Sequence, residues 1–384
     1  MFTHDNILPY KINIANHRLK VIIYEHFSSN GLKETDDWSF ACEGLFMART
    51  LFSRFLSLDY VKPVMIVNEG LSSAFGPAER QSLYIVSDGK GEEALLELCG
   101  SRPAVVIIAP ETNGLSGRLA SKAIKAGGII LGPSPRAIKT ASNKARLLET
   151  LKDKGIPCLP FRSAQDQTTL KAAASSWGFP LVVKPACGTG GEKSALLEDE
   201  HDLDEFLKSK NRADFKDLIV QPFVEGMPAS LSLLVSRSGK AHLISINEQK
   251  IALDEKGEGR PAGFRYMGGR TGLSEKDYGR FGADRNDLQR LAQAVADALP
   301  GLMGYAGIDL IMTAKGPQVL EVNPRMTTPL AMLGRYVSWN IASALLEACI
   351  SDNVPQLPHV PEIDFSKEDI ACRNLFTRRS SVGI

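Results

Sequence analysis

Two carboxylates and an amide beside an arginine are the residues of this chain best suited to metal-assisted chemistry. In Glu321-Val322-Asn323-Pro324-Arg325, Glu321 and Asn323 stand two residues apart, so on a strand both side chains point to one face. Asp309, inside Gly307-Ile308-Asp309-Leu310-Ile311, lies on what reads as the neighbouring strand. Three oxygen donors with no Cys or His close by suit a hard ion such as Mg²⁺ bound jointly with nucleotide phosphates. Either carboxylate alone reads as a solvent-facing acid on an exposed sheet. Their apolar flanks, with Pro324 and Arg325 following at once, shift the reading to a buried strand end that faces a cleft.

A second set could bind phosphate. Lys184 ends the apolar run Pro180-Leu181-Val182-Val183, a poor place for an ammonium unless an anion meets it. The turn Gly188-Thr189-Gly190-Gly191 that follows would let backbone N–H groups approach phosphate oxygens unobstructed. Gly191-Glu192-Lys193-Ser194 superficially resembles a P-loop, but Glu192 stands where glycine is required and the turn joins two strands, which excludes that reading. A plain hairpin is the competing reading of the turn. Lys144, at the start of a helix, and Gln221-Pro222-Phe223-Val224-Glu225-Gly226, with polar groups able to read an adenine edge, complete the candidates. Each of these alone is ordinary surface or linker chemistry.

The elements that must position these residues follow from apolar runs and punctuation. Strands over 21–24, 64–67, 104–109 and 129–131 alternate with helices over 43–55 and 116–126, which predicts a small, largely parallel α/β domain. A polar loop spans 25–37. Glu25 and Glu111 follow strand ends, where such domains carry ligands. A second unit begins near Ala141: Ser142 is the expected N-cap of a helix over 143–154 stopped by Gly155 and Pro157. A helix over 168–177 and strands over 181–184 and 194–197 continue it. The strand over 218–221 opens a third unit, followed by alternating strands over 231–235 and 242–246. A Gly-rich, charged loop spans 254–276. A helix over 287–299, strands over 307–312 and 317–322 and a helix over 339–350 complete that unit. Little structure is expected after Pro355.

Composition narrows the function classes. The chain has 384 residues, enough for two or three subdomains. Its 45 basic and 44 acidic residues give a formal net charge of +1, so no single-sign field draws it to nucleic acid or an anionic membrane. The opening residues lack the apolar core of a signal peptide, and the apolar runs are too short to span a bilayer. Six scattered cysteines without a CxxC pair read as reduced thiols, and a cytoplasmic location is expected.

The ordered set Lys144, Lys184 with its glycine turn, Gln221 to Gly226, Asp309 and Glu321-x-Asn323-Pro-Arg325 resembles the ATP-grasp superfamily over about residues 20–350. The resemblance implies an α/β and α+β architecture: an N-terminal Rossmann-like pre-ATP-grasp domain (1–140), then a small lobe (141–217) and a C-terminal lobe with the metal site (218–355) that clamp ATP, then a tail (356–384). It further implies that Lys144, Lys184 and the turn Gly188, Thr189, Gly190 and Gly191 contact phosphates. Gln221, Phe223, Val224 and Glu225 would serve the adenine side. Asp309, Glu321 and Asn323 would hold one or two Mg²⁺ ions, with Mn²⁺ as a substitute, and Arg325 and Lys184 would stabilise the transition state. The family's ribose-binding glutamate has no counterpart where this chain reads Met227-Pro228-Ala229-Ser230, which leaves that role open.

Shorter segments are similar to the branch that contains tyramine–glutamate ligase of methanofuran biosynthesis: Tyr24-Glu25-His26-Phe27-Ser28-Ser29-Asn30-Gly31, Cys42-Glu43-Gly44, Tyr266-Met267-Gly268-Gly269 and Arg325-Met326-Thr327-Thr328-Pro329. That similarity places Glu25, Glu43, Gly269, Arg270 and Thr327 on the substrate side. It implies ATP-dependent joining of glutamate to an aromatic amine or amino acid through an acylphosphate, with small-molecule partners and room for a homodimer. The loop 254–272 is a candidate lid or a merely mobile surface loop. A ligase with another substrate pair, a kinase or carboxylase, and a silent ATP-binding module are the alternatives.

Overall fold

The apolar runs near the start of the chain fold into a parallel sheet in a computed structural model that describes residues 18–32, 38–164, 166–188, 194–209, 217–254, 256 and 261–370. The first unit runs β1 (Leu19–Glu25), α1 (His26–Asn30), α2 (Trp38–Leu56), β2 (Val61–Asn68), α3 (Pro77–Arg80), β3 (Leu83–Val86), α4 (Gly91–Cys99), β4 (Ala104–Ile108), α5 (Leu115–Lys125) and β5 (Ile129–Ile130). Strand order is β3-β2-β1-β4-β5, all parallel. Val21 to Tyr24 have no exposed surface, as a central strand covered on both faces requires. The order reverses between β1 and β4, so Glu25 and Glu111 sit at the crevice where such sheets bind ligands. The expected loop 25–37 begins instead as α1, because the Glu25 carboxylate caps its first N–H groups.

The second unit comprises α6 (Pro135–Ala141), α7 (Lys144–Asp153), β6 (Arg162–Ala164), α8 (Gln167–Trp177), β7 (Leu181–Pro185), β8 (Ala195–Leu197), α9 (Glu200–Lys208) and β9 (Leu218–Pro222). Asn143 caps α7 in place of Ser142, its side chain accepting from the Arg146 N–H at 3.0 Å. The sheet order is β6-β9-β7-β8, antiparallel. The strand over 218–221 therefore does not open the third unit. Its apolar face is buried with β7 in a core that Leu170 and Phe206 complete, so the boundary expected at 217/218 moves past Pro222.

The third unit contains β10 (Met227–Val235), β11 (Ala241–Leu253), β12 (Phe264–Thr271), α10 (Glu275–Tyr278), α11 (Arg285–Ala298), β13 (Gly304–Thr313), β14 (Gly316–Asn323), α12 (Thr328–Tyr336), α13 (Ile341–Ile350), β15 (Ile363–Ser366) and α14 (Lys367–Ile370). Its antiparallel sheet runs β14-β13-β10-β11-β12-β15. Two expectations are corrected here. Within the supposed loop 254–276, residues 264–271 form strand β12 and 275–276 open helix α10, and the supposedly unstructured tail supplies an edge strand. Gly268, Gly269 and Gly272, which suggested a loop, are close-approach sites: a Cβ on Gly269 would lie 2.2 Å from the Glu248 carbonyl oxygen.

One apolar cluster is shared by the first and third units, joining Val21, Leu51 and Phe52 to Leu234, Leu330, Ile341 and Leu345. The sheet of the second unit keeps its own core with α8 and α9, whereas α6 and α7 are buried in the core of the third unit. No helix among the described residues is long and apolar enough to cross a membrane.

Candidate active site

The three units meet around a cavity of about 350 Å³. Its floor is the β13–β14 pair, whose register sets Asp309 directly opposite Glu321 and Gly307 opposite Asn323. All three oxygen-bearing side chains line the cavity, as the alternation of strand residues requires. The Asp309 carboxylate accepts from Gln249 Nε2 and from Asn323 Nδ2, both at 3.1 Å.

Two lysines face this floor from the second unit. Lys144, the first residue of α7, is fixed by its backbone N–H donating to the Ala186 carbonyl at 2.7 Å. Its Nζ donates to the Gly188 carbonyl at 2.8 Å and lies 3.0 Å from Glu321 Oε2. Burial alone would lower the Lys144 pKa, but Glu321, with help from Glu111 and Asp309, holds it above the usual value. Lys184, at the end of β7, has no such close partner carboxylate among the described residues; burial first and the Lys144 charge second lower its pKa to about 8. Within the Asp309–Glu321 pair, burial and the neighbouring carboxylate push the Asp309 pKa up. Glu321 stays ionised against burial because Lys144 and Lys184 stabilise its charge.

The donor set fits a hard divalent ion. Two facing carboxylates in a buried site repel one another unless a cation or a shared proton lies between them. A half-turn of the Asn323 amide adds a third oxygen. Among the described residues no group of three or more His, Cys, Asp and Glu could hold a metal, so a metal site here depends on the Asn323 amide.

Gln221 is 2% exposed at the end of β9, and Gln221, Phe223 and Val224 all line the cavity where the segment 223–226 links the second and third units. Glu225 does not line it. Thr189, Gly190 and Gly191 lie outside the described residues.

The first unit closes the opposite end. Glu25 is 1% exposed, and its two carboxylate oxygens accept from the N–H groups of Phe27 at 3.1 Å and Ser28 at 2.7 Å. Burial raises its pKa to about 7 despite those bonds and the Arg325 charge. Gly44, mid-way along α2, is what admits that carboxylate, since a Cβ there would lie 2.4 Å from Glu25 Oε1. Glu43 Oε2 accepts from Thr328 Oγ1 at 3.0 Å, and both line the cavity with Thr327. Arg325 is gripped by Glu111: Nε donates to Oε1 at 2.8 Å and Nη2 to Oε2 at 3.4 Å, while Nη1 donates to the Met326 carbonyl at 3.3 Å. Gly269 and Arg270 are not brought to the cavity. Strand alternation and the bulged register turn Arg270 away, to pair with Glu248, Asp277 and Glu362, and Gly269 serves close packing.

Residues 141–329 match a family model for an ATP-grasp domain, and residues 61–138 match one for a pre-ATP-grasp domain. The chain belongs to the ATP-grasp family. Among curated relatives, tyramine–L-glutamate ligase of Methanocaldococcus jannaschii is 25% identical over 334 residues, 85% of this chain and 88% of that protein. Its counterpart from Methanocaldococcus fervens is 25% identical over 80% of this chain and 87% of its own. Formate-dependent phosphoribosylglycinamide formyltransferase of Stutzerimonas stutzeri is 26% identical over 65% of this chain, which spans 59% of that enzyme. A crystal structure of an ATP-grasp superfamily protein from Archaeoglobus fulgidus shares the fold at TM-score 0.62 and 23% identity, covering 90% of this chain and 99% of its own. With this membership and these ligase relatives, the enzyme class is ATP-dependent, C–N bond-forming ligase.

Sequence reading missed several residues of this ATP-grasp site. Gln249 stands on β11 beyond the stretch read as a strand, so nothing marked it as facing Asp309. Glu111 was visible at a strand end, but its grip on Arg325 joins residues 214 positions apart. Tyr266 stood in a branch-like segment, but its place on β12 was hidden because that stretch read as a loop. Lys367, whose Nζ is 3.7 Å from Glu43 Oε1, lay in the tail.

Proposed function

We propose that this ATP-grasp protein joins a carboxylate to an amine through an acylphosphate, with glutamate and tyramine or tyrosine as the substrate pair, a reaction that would serve the biosynthesis of a methanofuran-type cofactor. The observation that supports it is the convergence on one cavity of Lys144, Lys184, Asp309, Glu321, Asn323 and Arg325 from separate lobes. The acid's carboxylate oxygen would attack the γ-phosphorus, with ADP leaving. The amine nitrogen would then attack the acyl carbon, expelling phosphate and giving up a proton. Lys144 and Lys184 would orient the phosphates, and Gln221, Phe223 and Val224 the adenine. Arg325, aligned by Glu111, keeps N–H donors for charge developing on the transferred group. Mg²⁺ held by Asp309, Glu321 and Asn323, with Mn²⁺ as a substitute, would neutralise phosphate charge. Enclosure by three units limits hydrolysis of the acylphosphate.

The test is ADP release by purified protein with MgATP, glutamate and tyramine, alone and together. ADP and an amide of the two substrates are expected only with both present. Glu321→Ala should lower turnover by at least about a thousandfold, the scale of losing an electrostatic group used in the transition state. ADP release that needs bicarbonate and no amine would assign a carboxylase instead, and unchanged ligation by Glu321→Ala would remove the metal-site assignment.

A further inference from the structure

Residues beyond both family matches pack behind Tyr266, one of the residues that line the cavity. Strand β15 adds to the edge of the six-stranded sheet with Gly268 opposite Ser366, Gly269 opposite Phe365 and Arg270 opposite Asp364. Strand β12 is shaped to receive it. A Cβ on Gly268 would lie 2.4 Å from the Phe365 carbonyl oxygen, and one on Gly272 2.2 Å from that of Pro361, at positive φ of +117° and +77°. Arg270–Glu362 at 2.9 Å and Lys250–Asp364 at 2.5 Å flank the pairing. Phe365 and Ile370 are buried against Met332, with Phe46 of α2 and Tyr266 packed on them.

Lys367, the first residue of α14, then reaches across to the first unit. Its Nζ donates to Ser39 Oγ at 2.6 Å, lies 3.7 Å from Glu43 Oε1 and sits 5.9 Å from the centroid of the Tyr266 ring. The other Glu43 oxygen accepts from Thr328, and Glu43, Tyr266 and Thr328 all line the cavity.

We propose that the β15–α14 segment is an outer wall that supports the Glu43 and Tyr266 side of the cavity from behind, in which Lys367 is a positioning residue that fixes the Glu43 carboxylate beside Tyr266. Glu43 comes from α2, Thr328 from α12 and Tyr266 from β12; the shared apolar cluster fixes α2 against α12, and what remains to be set is the Glu43 side chain, which needs a clasp of its own. Lys367 provides that clasp, as an ammonium between a carboxylate and a ring face. A carboxylate held on both oxygens presents a fixed charge to an incoming ammonium, whereas a free one loses affinity to rotamer entropy. What the acceptor is rests on the ligase reading; the wall does not.

The test compares Lys367→Met and Lys367→Arg with the unmodified protein, using ATP, glutamate and tyramine. Lys367→Met should raise the tyramine KM about tenfold with the ATP KM unchanged, the loss of roughly one charged contact. Lys367→Arg should restore most of it. An unchanged tyramine KM, or an equal rise in both KM values, overturns the proposal. If the unmodified protein makes no ADP with this pair, the ligase reading fails and hydrogen exchange decides the wall. Amides of residues 40–47 should then exchange faster in Lys367→Met, recover in Lys367→Arg, and leave α11 unaffected; unchanged exchange at 40–47 overturns it.

Discussion

Lys184 shows how burial prepares a single side chain for an anion. Its ammonium is lowered to about 8 by burial and by the nearby Lys144 charge, so the nucleotide-free protein loses this proton as pH rises through 8. Phosphate oxygens beside it favour the charged form and raise the pKa, so nucleotide binding takes up a proton above that pH. The sign follows. Affinity for ATP is flat below pH 8 and falls by up to about tenfold per unit above it, toward the ordinary lysine range. Lys184→Met should bind ATP roughly 10- to 100-fold more weakly and lose that upper slope. Titrating the Kd of a non-hydrolysable ATP analogue between about pH 7 and 9.5 checks both, and an unmodified protein with no slope there would show that Lys184 does not meet the phosphates.

At the scale of elements, the joint between β1 and α1 carries a second pH signature. Glu25 caps α1 from inside a buried crevice, and its carboxyl is raised from 4.5 to about 7 by desolvation. Between those values the folded state holds the proton more tightly than the unfolded chain, so stability falls as pH rises through the window and stays reduced above 7. The full effect is of order 3 kcal/mol. Glu25→Gln cannot ionise, so denaturant titrations should find the variant equal to or slightly below the unmodified protein at pH 5, where one cap bond is lost, and above it at pH 8. Parallel pH profiles for the two proteins would defeat this account. The same joint marks what was legible in the sequence. Strands written as unbroken apolar runs, such as Ala104–Ile108, and the helix opened by Asn143 stand close to where pattern places them. Strand β12 does not, because its glycines are explained by the backbones of Glu248 and Phe365, partners distant in sequence. Likewise Asp309, Glu321 and Asn323 were readable because one hairpin carries all three, whereas Glu111 and Lys367 act across units whose packing no local pattern encodes.

For the molecule as a whole, the cores decide what moves together. The first and third units bury one apolar cluster, so they behave as a single body that carries Glu25, Glu43, Asp309, Glu321 and Arg325. The sheet β6–β9 with α8 and α9 has a separate core, whereas α6 and α7 are buried with the third unit; links between the two include the bridges Cys158–Val319 and Leu196–Ala262 and the Lys144–Ala186 hydrogen bond. Lys184 thus rides on a body able to open independently, while Lys144, on α7, stays with the metal floor. Truncating a fully buried leucine costs about 2–5 kcal/mol, and where that loss appears depends on the core it belongs to. Leu170→Ala, in the second unit, should speed hydrogen exchange in β7 and β9 while leaving β1, β4, β10 and β13 protected. Leu345→Ala, in the shared cluster, should weaken β1 and β13 together. Saturating ATP should restore protection to β7 and β9 in Leu170→Ala, because a ligand bound between the two bodies stabilises the closed one by mass action. If Leu170→Ala instead loosens all three sheets alike, the cores are energetically one, and the second unit does not open on its own to admit nucleotide.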